Sequence, residues 1–108
     1  MDCQISNCDD HLRNYGFLLT PGGWVLSPAY DINPDESGTG LRLNINEDDN
    51  SLDFDLAMSV ASYFRISANK AAQILKEIKE SVSQWHQVAD RCDIPHAQQE
   101  WMGTAFRY

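Results

Sequence analysis

Between Ala71 and Cys92 the apolar residues Ala71, Leu75, Ile78, Val82, Trp85, Ala89 and Cys92 follow one another in alternating steps of four and three. An α-helix brings such positions onto one side, so the spacing predicts a continuous helix of about six turns carrying an unbroken apolar stripe. A stripe of that length has to be covered, which makes it core and assigns it no function of its own. Ser67 is placed to cap this helix, and Lys76 and Glu80 form a weak i,i+4 pair on its outer face. Ahead of it, Ser51 or Asp53 can cap a shorter helix with Leu56, Ala57, Val60, Tyr63 and Phe64 on one face. Behind it, Pro95 redirects the chain into a last short helix in HAQQEWMGTAFRY, interrupted at Gly103.

The first third of the chain has a different grammar. Tyr15 to Leu19 and Trp24 to Leu26 read as strands on either side of the turn Thr20 to Gly23, which predicts a β-hairpin. Two-stranded hairpins are marginal on their own in water, so the helices are expected to support this one. The stretch Ser27 to Gly40 holds two prolines, two glycines and four acidic or amide residues, and reads as a long irregular loop. Leu41 to Ile45 alternates as a short strand or extended segment would, and NEDDNS is a second polar loop. The expected fold is α+β and mostly α, a single domain over 1–108 with hairpin and loops in 1–50 and a helical body in 51–108.

Composition narrows the function. Sixteen acidic residues against eight Lys and Arg leave a formal net charge of −8, which argues against nonspecific binding to nucleic acid or anionic membranes. The longest apolar stretches fall short of the ~20 residues of a membrane span, and MDCQISNCDD lacks the basic and apolar segments of a signal peptide. Cys3, Cys8 and Cys92 are odd in number and form no C-x-x-C, which points to reduced thiols in a cytoplasmic protein.

The chemistry is crowded into SNCDDHLRNYGFLL, residues 6–19, directly against the first strand. Asp9 and Asn14 stand in the spacing D-x-x-x-x-N. In the catalytic loop of protein kinases that spacing joins two tasks: the Asp orients the hydroxyl that will be phosphorylated, and the Asn offers a neutral oxygen to magnesium. A second Asp must then arrive beside the Asn, because Mg²⁺ takes hard oxygen ligands and few of them from protein. The hairpin supplies the route: out from Asn14, around the turn, and back to Asp31. Taken alone, D-x-x-x-x-N is a weak signal, and Asp9 and Asp10 serve equally well as turn or cap residues.

NCDDHLRNYGFLL followed by WVLSPAYDINP resembles the C-terminal domain of the HipA family, serine/threonine protein kinases known as toxins of bacterial toxin–antitoxin pairs. The family's catalytic loop, roughly N-x-D-x-H-x-(K/R)-N, stands here as Asn7, Asp9, His11, Arg13 and Asn14. Its metal segment, roughly L-(S/A)-P-x-Y-D, stands as Leu26, Ser27, Pro28, Ala29, Tyr30 and Asp31. The resemblance is strong to about Pro34 and looser through the helices. It implies the helical C-terminal lobe of a protein-kinase-like fold, with Mg²⁺ and ATP as cofactors of the complete enzyme. By the same resemblance Asp9 is the catalytic base or hydroxyl positioner, and Asn14 and Asp31 are the magnesium and nucleotide-side ligands. His11 belongs with Asp9 in the catalytic loop, either in the chemistry or bracing the loop. Arg13 either meets phosphate or pairs with Asp10. Tyr30 is expected to pack, and His86 and His96 to be surface or packing residues.

A complete kinase also needs a glycine-rich loop over the phosphates and a strand lysine paired to a helix glutamate. Neither is found in these 108 residues. The expectation is therefore a piece of a longer polypeptide or the product of a truncated gene, inactive in phosphate transfer by itself. The competing reading is a non-catalytic interaction module whose acidic surface binds a basic, antitoxin-like DNA-binding protein. A calcium loop in NINEDDN or DINPDESG is disfavoured, since neither has both the glycine and the glutamate of an EF-hand.

Overall fold

A computed structural model describes all residues, Met1–Tyr108. It is α+β and mostly helical, with one two-stranded antiparallel hairpin. Helix α1 (Asp2–Ile5) is a single turn closed by Ser6 in the left-handed region, φ 50°, which lets the Asn7 N–H reach back to the Asp2 carbonyl at 3.0 Å. A 3₁₀ turn, Leu12–Asn14, leads into β1 (Phe17–Thr20) and β2 (Gly23–Leu26), in register Phe17↔Leu26 through Thr20↔Gly23. The two-residue turn works because Gly23 adopts φ 112°, closed to most side chains.

The hairpin exists where expected, but the helices do not support it. Phe17, Leu18, Leu19, Trp24, Val25 and Leu26 are each between 45% and 70% exposed, so both faces of the ribbon meet solvent. The radius of gyration, 15.4 Å, exceeds the ~13 Å of a compact chain of this length, as a projecting arm requires. Leu41 to Ile45 forms no strand either. Leu41 is tied to Asn50 through its own N–H (2.8 Å) and carbonyl (2.6 Å), and the Ile45 N–H reaches Asp49 O at 2.7 Å. The polar loop folds back on the segment and satisfies its backbone before a strand partner could.

Asp53 caps α2 (Phe54–Ser59), its carboxylate accepting from the N–H groups of Asp55 and Leu56. A 3₁₀ turn, Ala61–Phe64, follows, and Ser67 caps α3 (Ala68–Val82) by accepting from Lys70 N. Lys76 and Glu80 pair at 3.7 Å as the i,i+4 spacing predicts.

The long stripe is split between two helices. α3 ends at Val82, and α4 (Trp85–Arg91) begins after Ser83 and Gln84. Both side chains turn back on the Glu80 carbonyl, Ser83 Oγ at 2.8 Å and Gln84 Nε2 at 3.4 Å, while the Gln84 N–H goes to Ser81 O rather than Glu80 O. Short and amide side chains that compete for a helix carbonyl interrupt it even when the apolar period runs on. Ala71, Val82 and Ala89 are buried, Trp85 stacks on Phe106 at 4.2 Å, and Cys92 lies exposed beyond the break. Helix α5 (His96–Met102) starts at Pro95 and passes into a 3₁₀ turn at Gly103–Ala105, as the sequence suggests. No helix is long and apolar enough to cross a membrane.

The chain's two ends meet. Arg107 donates its N–H to Gln4 O at 2.6 Å and its Nε to Ser6 Oγ at 3.1 Å, while Ser6 Oγ donates to Ala105 O at 2.9 Å. Ser6 is 1% exposed, so this clamp fixes the residues immediately ahead of Asp9.

Candidate functional site

The hairpin carries Asp31 back to Asn14. Asn14 Nδ2 donates to Asp31 Oδ2 at 2.8 Å across seventeen residues of sequence. Asn14 is buried, and its Oδ1 accepts the His11 N–H at 3.1 Å, so the amide is held from both sides. The return strand reaches it because the ladder continues one step past the hairpin, from Ser27 N to Gly16 O at 2.8 Å.

Tyr30, expected to pack, bridges the segments instead. It is about half exposed, and its hydroxyl donates to the Arg13 carbonyl at 2.7 Å. Asn33 adds two further links: its side chain donates to Asp31 Oδ1 at 2.9 Å and its N–H to Asn7 Oδ1 at 3.4 Å. Asn7 is buried and donates in turn to Asp2 Oδ1 at 2.7 Å, which ties the loop to α1. Four residues other than glycine have positive φ: Ser6, Asp31, Arg65 and Asp93. Ser6, Arg65 and Asp93 close helical turns. Asp31, at φ 57°, closes none, and the left-handed backbone there costs on the order of 1 kcal/mol that its side-chain bonds must offset.

Asp9 is not part of this cluster. Its carboxylate is exposed and pairs through Oδ1 with Arg42 at 3.0 Å, leaving Oδ2 without a partner. His11 is half-buried, and its Nδ1 has no hydrogen-bond partner. Arg13 makes no ion pair, and Asp10, one of its two expected partners, is held instead by the Tyr15 hydroxyl at 2.9 Å. Asp10 is buried at 8% exposure, and loss of solvent raises its carboxyl above the ordinary value despite that bond. Tyr15 is pushed up to about 12, first by burial and then by the bond to Asp10.

As donors for a hard cation, Asn14 and Asp31 are the right kind, one amide and one carboxylate. The chain assembles no cluster of three or more His, Cys, Asp or Glu that could hold a metal unaided. Any ion here would take its remaining ligands from phosphate and water. The amide presently shows its NH₂ to Asp31 and its oxygen to His11 N–H, so its donor hydrogen faces the carboxylate where a cation otherwise would.

The model of the HipA-like C-terminal domain matches residues 1–86, four-fifths of the chain, and both motifs lie inside the match. This chain belongs to that family. No curated protein and no solved structure matches it. Within this HipA-like domain, the sequence singled out Asn14 and Asp31, which the fold joins, and Asp9 and His11, which it leaves beside them without a side-chain contact. It did not single out Arg42, Asn33 or the Tyr15–Asp10 bond. Arg42 lies thirty-three residues from Asp9 in a segment read as a strand, so no spacing rule could have connected the two.

Proposed function

We propose that this chain is the catalytic-loop and metal-loop portion of a HipA-like serine/threonine protein kinase that acts in the cytoplasm on a protein substrate. The observation that carries this reading is the Asn14–Asp31 hydrogen bond, which unites the two motifs of a family member across the hairpin. Asp9 orients the acceptor hydroxyl through Oδ2, the oxygen that Arg42 leaves free. His11 braces the loop by its main-chain bond to Asn14, and Asn14 and Asp31 are the residues that would hold the Mg²⁺ of Mg-ATP. That ion, when bound, neutralises phosphate charge.

Catalysis of this kind is positioning and electrostatic stabilisation, and these 108 residues hold no glycine-rich loop and no phosphate-binding lysine. They therefore bind Mg-nucleotide weakly and transfer no phosphate by themselves. The test is calorimetric titration of the chain with ATP, with and without Mg²⁺. Binding that needs Mg²⁺ and disappears in Asp31→Ala is expected. Binding indifferent to both, or none at all, overturns the metal assignment, and robust transfer abolished by Asp9→Ala overturns the inactivity. A second reading, an interaction module for a basic, antitoxin-like DNA-binding protein, draws on the uncovered apolar hairpin and on the acidic residues of the first fifty positions around it in sequence. Partner capture that survives Asp9→Ala and Asp31→Ala favours it.

A further inference from the structure

Part of the apolar surface of the helical body faces a cavity and not a neighbouring side chain. Phe54, Met58, Ile74, Leu75 and Ile78 are half-buried around a cavity of about 410 Å³ between α1, the Leu41–Ile45 loop, α2 and α3. Four lining residues carry polar side chains other than a phenol: Asp2, Gln4, Asp10 and Asn44. Asp2 is engaged by Asn7, and Asn44 donates to Glu47 O. The other two have unused acceptors. Gln4 Oε1, on a residue 4% exposed, has no partner. Asp10 is 8% exposed and uses only Oδ2, for Tyr15, so Oδ1 is unpaired. No Lys, Arg or His lines the cavity, and the cation at its rim is the Met1 ammonium.

We propose that this cavity is a binding site for a small apolar amine, its ammonium on Asp10 Oδ1 and its hydrocarbon body against Phe54, Met58 and Ile74. The volume lies within the ~300–1,000 Å³ range of small-molecule sites, and apolar walls with a few convergent polar groups are their usual composition. The polarity of the ligand follows from the wall. Two carboxylates and an unpaired amide oxygen face one cation, the Met1 ammonium, so the wall is net negative, and a neutral hydrocarbon would leave the buried Gln4 Oε1 unpaired. Burial also holds the Asp10 carboxyl above its ordinary value, a sign that no group in the chain compensates it fully.

Amide NMR titration of the 108-residue chain with 2-phenylethylamine, against 3-phenylpropionate as the acid of similar shape, tests the site. Saturable shifts for the amine around Gln4, Asp10 and Ile74 are expected, with the acid at least ~10-fold weaker, equivalent to about 1.4 kcal/mol. Asp10→Asn, which keeps the shape and removes the charge, is expected to weaken the amine by a similar factor. Met58→Trp, which fills the cavity and leaves Asp10 in place, should abolish binding. Equal binding of amine and acid, unchanged binding in Asp10→Asn, or no saturable shift at millimolar amine overturns the proposal. So does binding confined to a lysine-bearing amphipathic helical peptide, which would make the groove a polypeptide dock.

Discussion

The two halves of this domain are held by different forces. Up to Asn50 the chain has two helical turns, one hairpin and two loops, and its shape rests on directional side-chain bonds: Asn7 to Asp2, Asn14 to Asp31, Tyr15 to Asp10, Tyr30 to Arg13. From Asp53 onward it is capped helices and apolar contact. The chemistry-bearing half can thus lose its geometry through a single atom, while the helical half should respond to substitution in proportion to area.

Gln99 breaks that division and gives the largest expected effect. It is 2% exposed, and its amide joins three elements: Oε1 meets His86 Nδ1 at 2.9 Å, and Nε2 donates to Asp90 Oδ1 at 2.8 Å and Ile94 O at 2.9 Å. Gln99→Leu keeps most of the volume and strands all three partners, a loss of about 2–3 kcal/mol by urea unfolding. A loss below ~0.5 kcal/mol would show that water replaces the amide freely and that the helical half has no directional joint.

Ser6 links the halves and comes next. Ser6→Ala removes the donor to Ala105 O and the acceptor for Arg107 Nε, with an expected cost of about 1–2 kcal/mol. Hydrogen exchange should rise at Gln4 and Asn7 together with Phe106 and Arg107. Loosening of only one end would mean that the clamp does not couple them. Residues 105–107 lie outside the family match, so this brace on the residues ahead of Asp9 comes from the part of the chain the family model does not describe.

A smaller effect separates the two carboxylates of the DD pair by pH. Asp10 is raised above its ordinary 3.8, first by burial, so the folded state holds its proton more tightly than the unfolded state does. Its contribution is fully present below 3.8 and is lost as pH rises through the folded value. Unfolding free energies of the wild type and Asp10→Asn, measured across acid to neutral pH, should therefore diverge, the wild type falling relative to the variant. Parallel curves would show that Asp10 is solvated.

What could be read from sequence follows the same divide. The Ser67 cap, a cap at Ser51 or Asp53 that the fold assigns to Asp53, the Lys76–Glu80 pair and the inward face of α3 are local, and residue type and periodicity found them. The same periodicity carried the helix through Ser83 and Gln84, because it counts apolar positions and is blind to side chains competing for the Glu80 carbonyl. In the other half, Asn14 and Asp31 were legible through a two-part motif with a hairpin of the right length between them. Asp9–Arg42 and Asn33–Asn7 were not, since they depend on where irregular loops come to rest. Nor did the pattern of the hairpin show that it would stand uncovered, because alternation describes faces and not what lies against them.

The smallest expected effect tests that last point. Leu19 and Trp24 are cross-strand partners, 69% and 70% exposed, on a ribbon that no helix covers. If the ladder and turn alone hold the arm, Leu19→Lys or Trp24→Thr removes one cross-strand contact and little burial, and stability should change by no more than ~0.5 kcal/mol. Leu19→Lys should also improve solubility, because Phe17 to Leu26 contains no charge to discourage edge pairing. A loss above ~2 kcal/mol would instead mean that these side chains are buried in solution against something the fold of this chain does not supply. The Asn14–Asp31 contact would then depend on that cover as well, since Asp31 reaches Asn14 only along the returning strand.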